Sequence, residues 1–138
     1  RALLTQITRH RHLSFSVRSQ RYCKEIGTGF TFPFYAKPLE LALDVIKDTY
    51  EQLLEDGIEP EDARYILPNA TCTTFVVSGN GRAWLEFLRK RLCHRAQWEI
   101  RHLAEDIHDL LMEVVPEIFQ HADPCVECME TSCPKEEK

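Results

Sequence analysis

Arg9-His10-Arg11-His12-Leu13-Ser14-Phe15-Ser16-Val17-Arg18-Ser19-Gln20-Arg21-Tyr22 is the stretch from which the rest of the chain is read. Its fourteen residues hold four arginines, two histidines and three serines, and no acid. Such a surface suits an anion. A guanidinium offers a planar fork to phosphate or carboxylate oxygens and stays charged at any workable pH. The hydroxyls of Ser14, Ser16 and Ser19 complete the hydrogen bonding around such a group. The plain alternative is a solvated basic loop, against which stands the close interleaving of serines and aromatic residues with the arginines.

Outside this stretch, the chain has 138 residues, 43% of them hydrophobic, enough for one domain with an ordinary core. It has no apolar run of about eighteen residues, so no membrane span is expected. Arg1-Ala2-Leu3-Leu4-Thr5 lacks the apolar segment and cleavage site of a signal peptide, and lacks an initiator Met. The expectation is that Arg1 lies inside a longer natural chain. The net charge of −5 argues against a general nucleic-acid coat. The charge is uneven, however: residues 1–24 carry six cations and no acid, and a second basic cluster holds Arg82, Arg89, Lys90, Arg91, Arg95 and Arg101. Two positive clusters on an acidic body suggest a focused site for a small anion. The six cysteines sit in a chain with long helical patterns, which reads as cytoplasmic with reduced thiols.

The periodicity predicts mostly helix. Leu3, Leu4 and Ile7 mark a short helix before the basic stretch. Gly27, Gly29 and the aromatics Phe30, Phe32, Phe34 and Tyr35 around Pro33 predict a turn and a short extended piece. Pro38 opens a helix that Gly57 closes, with Leu39, Ala42, Val45, Ile46, Tyr50, Leu53 and Leu54 as its apolar stripe. A shorter helix runs from Pro60 to Ile66 and is stopped by Pro68. Thr71–Val77 is rich in β-branched residues and reads as a strand. Ser78-Gly79-Asn80-Gly81 is a turn, with Asn80 as the N-cap of a helix from Arg82 to about Cys93 that buries Trp84, Leu85, Leu88 and Leu92. A last pattern over 96–119 buries Ile100, Leu103, Ile107, Leu110, Leu111 and Val114, and Pro116 must kink or end it. The expected fold class is α+β, helices packed on a small antiparallel sheet. Residues 1–120 are expected to form the domain and 121–138 a flexible tail.

The basic stretch also reads as a signature. It resembles the Arg-His-Arg-x-x-Ser-x-x-x-x-Ser-x-Arg-Tyr pattern of flavin-dependent thymidylate synthases, matched at Arg9, His10, Arg11, Ser14, Ser19, Arg21 and Tyr22. A second block is similar to the C-terminal half of that family: Ala63 to Thr71, Asn80 to Trp84, Phe87 to Arg91 and Ala96 to Arg101. The likeness covers roughly residues 1–120. It implies reductive methylation of dUMP to dTMP, with methylenetetrahydrofolate as carbon donor, FAD as hydride carrier and NADPH as reductant. It implies a homotetramer whose active sites draw on several chains. The implied dUMP contacts are Gln6, Arg9, Val17, Arg18, Ser19, Gln20, Arg21, Arg64 and Arg91, with Arg91 also favouring ionisation of the uracil ring. The implied FAD contacts are Arg9, His10, Arg11, Asn80, Arg82 and Glu86. The family uses no cysteine nucleophile, which fits Cys23, Cys72 and Cys93 as structural thiols.

Some positions depart from the family pattern. Ser16 stands where Asn is frequent, and Val17 where a polar residue is common, which leaves only backbone contact there. Glu86 replaces a common amide and would repel a flavin phosphate unless Arg82 or Lys90 neutralises it at helical spacing. Arg95 replaces a frequent His. From spacing alone, Arg82 and Arg91 lie nine positions apart and point from nearly opposite sides of one helix, towards different ligands. Arg82 with Asn80 makes a pocket for phosphate or a polar ring edge. Cys125, Cys128 and Cys133, with His121, number enough ligands for zinc, but the reading taken is a disordered end, and no metal site is expected. A different class of reading is a non-catalytic nucleotide- or RNA-binding module, or an inactive partial copy; steep salt dependence and absent flavin would mark the binding module.

Overall fold

The computed structural model describes residues 1–32 and 37–124. Among these, the elements are α1 (Ala2–Ile7), β1 (Ser14–Val17), α2 (Lys37–Glu55), α3 (Pro60–Ala63), a 3-10 turn over Arg64–Ile66, β2 (Phe75–Ser78), α4 (Gly81–Arg91), α5 (Trp98–Val114) and α6 (Pro116–Phe119). The strands β1 and β2 pair in a two-stranded antiparallel sheet, and Phe30 and Thr71 add an isolated antiparallel bridge. This is the expected α+β class: helix-rich with a small sheet.

The chain forms two compact units. One comprises Arg1–Ala2 and Phe15–Val76; the other comprises Leu3–Ser14 and the chain from Val77 onward.

In the first unit, α2 packs on α3 and the 3-10 turn. Its N-terminal proline and the left-handed Gly57 (φ 85°) lie where the sequence places them. The buried stripe differs from the expected one. Leu43 and Tyr50 are buried and Leu39, Ile46, Leu53 and Leu54 half-buried, whereas Ala42 is exposed and Val45 is 64% exposed. The helix carries two apolar rows, and Leu43 sits on the row that faces inward. Helix α3 tightens to 3-10 at Arg64 before Pro68. The extended segment expected over Thr71–Val77 becomes regular strand only from Phe75, because Thr71 turns back to donate its N–H and hydroxyl to the Pro68 carbonyl.

In the second unit, α4, α5 and α6 pack on one another. Leu3, Ile7, Leu13, Ala83, Phe87, Leu88, Ile100, Ala104, Phe119 and Ala122 form the core. Phe87 takes the central place, edge-on to Trp84 at 5.7 Å, while Trp84, Leu85 and Leu92, expected to be buried, are half-buried. On α5, Leu110 and Val114 are exposed, contrary to expectation. The inward face is set by Ile100 and Ala104. Pro116 ends α5 and opens α6, its missing N–H being an orphan of the first turn in any case. Ala122 is buried and the His121 carbonyl accepts from Arg89 Nε at 3.3 Å, so packing continues past residue 120. Phe34, Tyr35, Cys125, Cys128 and Cys133 lie outside the described residues.

Candidate active site

Helix α4 aims the chemistry of the second unit. Asn80 caps it: its side-chain oxygen accepts from the Ala83 N–H at 2.9 Å. Gly79 lets the chain arrive close, since a Cβ there would stand 2.5 Å from Leu13 Cδ2. Phe87 is held in the core and packs edge-on against the His10 ring, with centroids 5.0 Å apart. Arg91, in the last turn, then reaches the segment that follows α1. Its Nε donates to His10 Nε2 at 3.0 Å and its Nη2 donates to the Gln6 carbonyl at 3.1 Å. The guanidinium is thus fixed by two acceptors that are 85 and 81 residues away in the chain.

These side chains line a cleft of about 440 Å³ formed by Arg9, His10, Arg11, His12, Leu13, Ala83, Glu86, Lys90 and Arg91. Four permanent cations face one acid. Burial, then Arg9, pushes the Arg91 guanidinium below its ordinary value. Burial, then Arg91, then Lys90, pushes the His10 imidazole down. His10 is therefore neutral near pH 7, with Nε2 as acceptor and the proton on Nδ1. A crowd of like charges that lowers its own members is relieved when an anion enters. The donor set accordingly fits a phosphate-bearing ligand.

Arg82 is not part of this cleft. It lines another of about 480 Å³ with Gly81, Leu85, Glu86, Arg89 and Ile118. Glu86 borders both. The expected division of Arg82 and Arg91 between two sides of one helix is thus what the structure has. Asn80, expected to share a pocket with Arg82, is not among the residues lining this second cleft; its side-chain oxygen caps the helix, which leaves its amide N–H groups to donate outward.

The first unit carries the rest of the basic stretch. Val17 lies in β1, half-buried, with only its backbone to offer. Arg18 N–H donates to the Thr74 carbonyl at 3.0 Å, and its Nη2 to the Lys24 carbonyl at 2.8 Å. Ser19 Oγ accepts from the Arg21 N–H at 3.2 Å, which leaves its proton free to donate outward. Gln20, with its amide oxygen turned to Arg1, accepts from Nη2 and Nε at 3.1 Å. Arg21 pairs with the Glu61 carboxylate and lies 5.3 Å from the Tyr22 ring centroid. Arg64 Nε donates to the Glu61 carbonyl at 3.0 Å. Glu61 therefore holds both arginines, one through its side chain and one through its backbone.

The structure thus gathers Gln6, Arg9, His10, Arg11, Glu86 and Arg91 in one unit, and Val17, Arg18, Ser19, Gln20, Arg21 and Arg64 in the other. Lys90, named in the sequence with Arg82 as a candidate counter-charge for Glu86, lines the first cleft beside it. Glu61 and Glu25, which hold the first unit's arginines, carry no sequence signal. Among the described residues no cluster of three or more His, Cys, Asp or Glu is set to hold a metal. Nor, among the described residues, is any helix long and apolar enough to cross a membrane.

The comparisons with known proteins point one way. Residues 1–117 match the family model described as thymidylate synthase complementing protein. The chain is 39% identical to the flavin-dependent thymidylate synthase of Geobacter sulfurreducens, covering 98% of this chain and 61% of that protein. It is 34% identical to that of Clostridium tetani, covering 98% and 63%, and 40% identical to that of Sulfolobus acidocaldarius, covering 86% and 48%. Among solved structures, it is similar to a UMP/dUMP methylase, PolB, from Streptomyces cacaoi bound with 5-Br dUMP: TM-score 0.78, 26% identity, 86% of this chain and 66% of that one. The chain spans about half to two thirds of the length of these relatives. By its family model and its relatives, the chain belongs to the thymidylate synthase complementing protein family, that of the flavin-dependent thymidylate synthases.

Proposed function

We propose that this chain is part of a flavin-dependent thymidylate synthase that converts dUMP to dTMP by reductive methylation. The observation that carries the reading is the cleft in which Arg91, fixed by His10 and Gln6, faces the cations Arg9, Arg11 and Lys90. In this reading dUMP is held by Gln6, Arg9, Val17, Arg18, Ser19, Gln20, Arg21, Arg64 and Arg91. FAD is held by Arg9, His10, Arg11, Asn80, Arg82 and Glu86. The cationic lining fits its pyrophosphate, and the half-buried cleft fits part of so large a molecule. When bound, FAD supplies the hydride, methylenetetrahydrofolate the carbon, and NADPH the electrons that restore the flavin.

The chain's own residues then do two things. The fork donors of Arg18, Arg21 and Arg64, with the Ser19 hydroxyl, neutralise the nucleotide phosphate. Arg91 is pre-oriented beside the pyrimidine, where a fixed cation stabilises developing negative charge without reorganising. That activates the ring's C5 as the attacking carbon without a thiol nucleophile. Cys23, Cys72 and Cys93 are half-buried free thiols and take no part. The enzyme is a cytoplasmic homotetramer. Leu41 and Val45 on α2, and Leu110 and Val114 on α5, are exposed apolar surface suited to cover by other copies.

The test is product formation. Purified protein given dUMP, methylenetetrahydrofolate, FAD and NADPH should yield dTMP by mass spectrometry, and omission of FAD from stripped protein should abolish it. Unconverted dUMP with flavin bound would refute the reading.

A further inference from the structure

We infer that Glu25 is a positioning residue for nucleotide binding: a buried carboxylate that sets the 18–21 segment through Arg18 and Arg1. The inference rests on the reading of residues 18–21 as contacts to the dUMP phosphate.

Glu25 is the only acid among the buried residues of the described chain, and its side chain is 1% exposed. An ionised group is costly to place there unless its lone pairs are answered. Oε2 accepts from Thr28 Oγ1 at 2.8 Å and lies 3.8 Å from Arg18 Nε. Oε1 has no hydrogen bond, and lies 3.7 Å from Arg1 Nη2. The carboxylate is therefore held mainly by charge, between two guanidiniums.

Each of those guanidiniums leads back to the segment. Arg18 also donates through Nη2 to the Lys24 carbonyl, closing residues 18–24 into a loop. Arg1 donates twice to the Gln20 amide oxygen. The base of the arrangement is rigid. The Glu25 N–H donates to the hydroxyl of Tyr50, which is 1% exposed on α2, and the Glu25 carbonyl accepts from the Thr28 N–H at 3.2 Å. Glu25 thus anchors to a core helix on its backbone side and grips two arginines on its side-chain side. Neutralising it frees Arg18 and Arg1 and lets the loop 18–24 wander. Substrate positioning lost in this way weakens binding without touching the reacting atoms.

The test uses the flavin-loaded enzyme and four forms: wild type, Glu25→Gln, Arg18→Met and the double variant. KM for dUMP, kcat and FAD affinity are measured on each. Glu25→Gln, which keeps the size and the Thr28 bond, should raise KM for dUMP about tenfold, as loss of two ion-pair contacts at a buried carboxylate does. Its kcat should stay within about twofold, and FAD affinity should be unchanged. The double variant should fall short of the product of the two single effects, because the singles share the Glu25–Arg18 pair. A KM unchanged by Glu25→Gln, effects that multiply in the double variant, or equal losses of kcat and FAD affinity would each overturn the inference. Should Glu25→Gln fail to fold, Thr28→Val loosens the same carboxylate and should raise KM about threefold; an unchanged KM there also overturns it. A wild-type enzyme that does not bind dUMP sinks the underlying functional reading instead. Wild-type binding with an indifferent Glu25→Gln sinks this inference alone.

Discussion

Replacing His10 by Gln should remove a pH dependence of stability. The neutral imidazole accepts Arg91 Nε at Nε2, 3.0 Å away. A proton on that nitrogen turns the acceptor into a donor and sets two cations side by side. Loss of a hydrogen bond to a charged group costs about 1.5–3 kcal/mol. Both partners reach solvent, so screening moves the figure to roughly 1–2 kcal/mol. Burial first, then Arg91 and Lys90, depress the His10 pKa below 6.5 in the folded state. The unfolded chain therefore takes up the proton first as pH falls. Stability is full above the ordinary 6.5, declines as pH drops towards the lowered folded value, and levels off beneath it. The assay is thermal unfolding between about pH 5 and 8 on wild type and His10→Gln. Gln can still accept from Arg91 but does not titrate. The midpoint of wild type should fall by a few degrees more than the variant's over the acidic part of the range. The difference between the two curves isolates the His10 contribution from that of the rest of the chain. Parallel curves would refute the reasoning.

Two further outcomes follow from packing. Phe87→Ala empties the fully buried contact between the His10 ring and Trp84 and should cost about 3–5 kcal/mol, read by denaturant unfolding; Arg91 should lose orientation with it, raising KM for dUMP. Gly79→Ala places a methyl 2.5 Å from Leu13 Cδ2 and should cost about 1–3 kcal/mol unless Leu13 swings aside, with a Leu13→Ala background largely restoring stability.

Much of the architecture could be read from punctuation. Pro38, Gly57, Pro68, Asn80 and Pro116 mark element ends because each acts through its own backbone chemistry, independent of what lies across the fold. The inward faces were harder. On α2 both the Leu43 row and the Val45 row repeat at helical spacing, and only the neighbouring α3 and 3-10 turn decide between them. Likewise Leu110 and Val114 continue the period of Ile100 on α5 yet face outward. The basic stretch was legible as a cluster of cations from composition. Its internal holders were not. The Arg91–His10 bond joins residues 81 apart, Glu25 is a lone acid in an irregular segment, and Glu61 is one of several acids between 55 and 62 that composition does not tell apart. Long-range partners of that kind leave no local trace, so a resemblance could suggest the arginines but not what fixes them.

Titration of the flavin-loaded protein with dUMP, followed by the flavin absorbance spectrum, bears most directly on the idea that fixed arginines bring a uridylate to a flavin. Wild type should show a saturable spectral change, and Arg91→Met should abolish or greatly weaken it while keeping its flavin. A flavin spectrum indifferent to dUMP, or an Arg91→Met titration that overlays wild type, would contradict it.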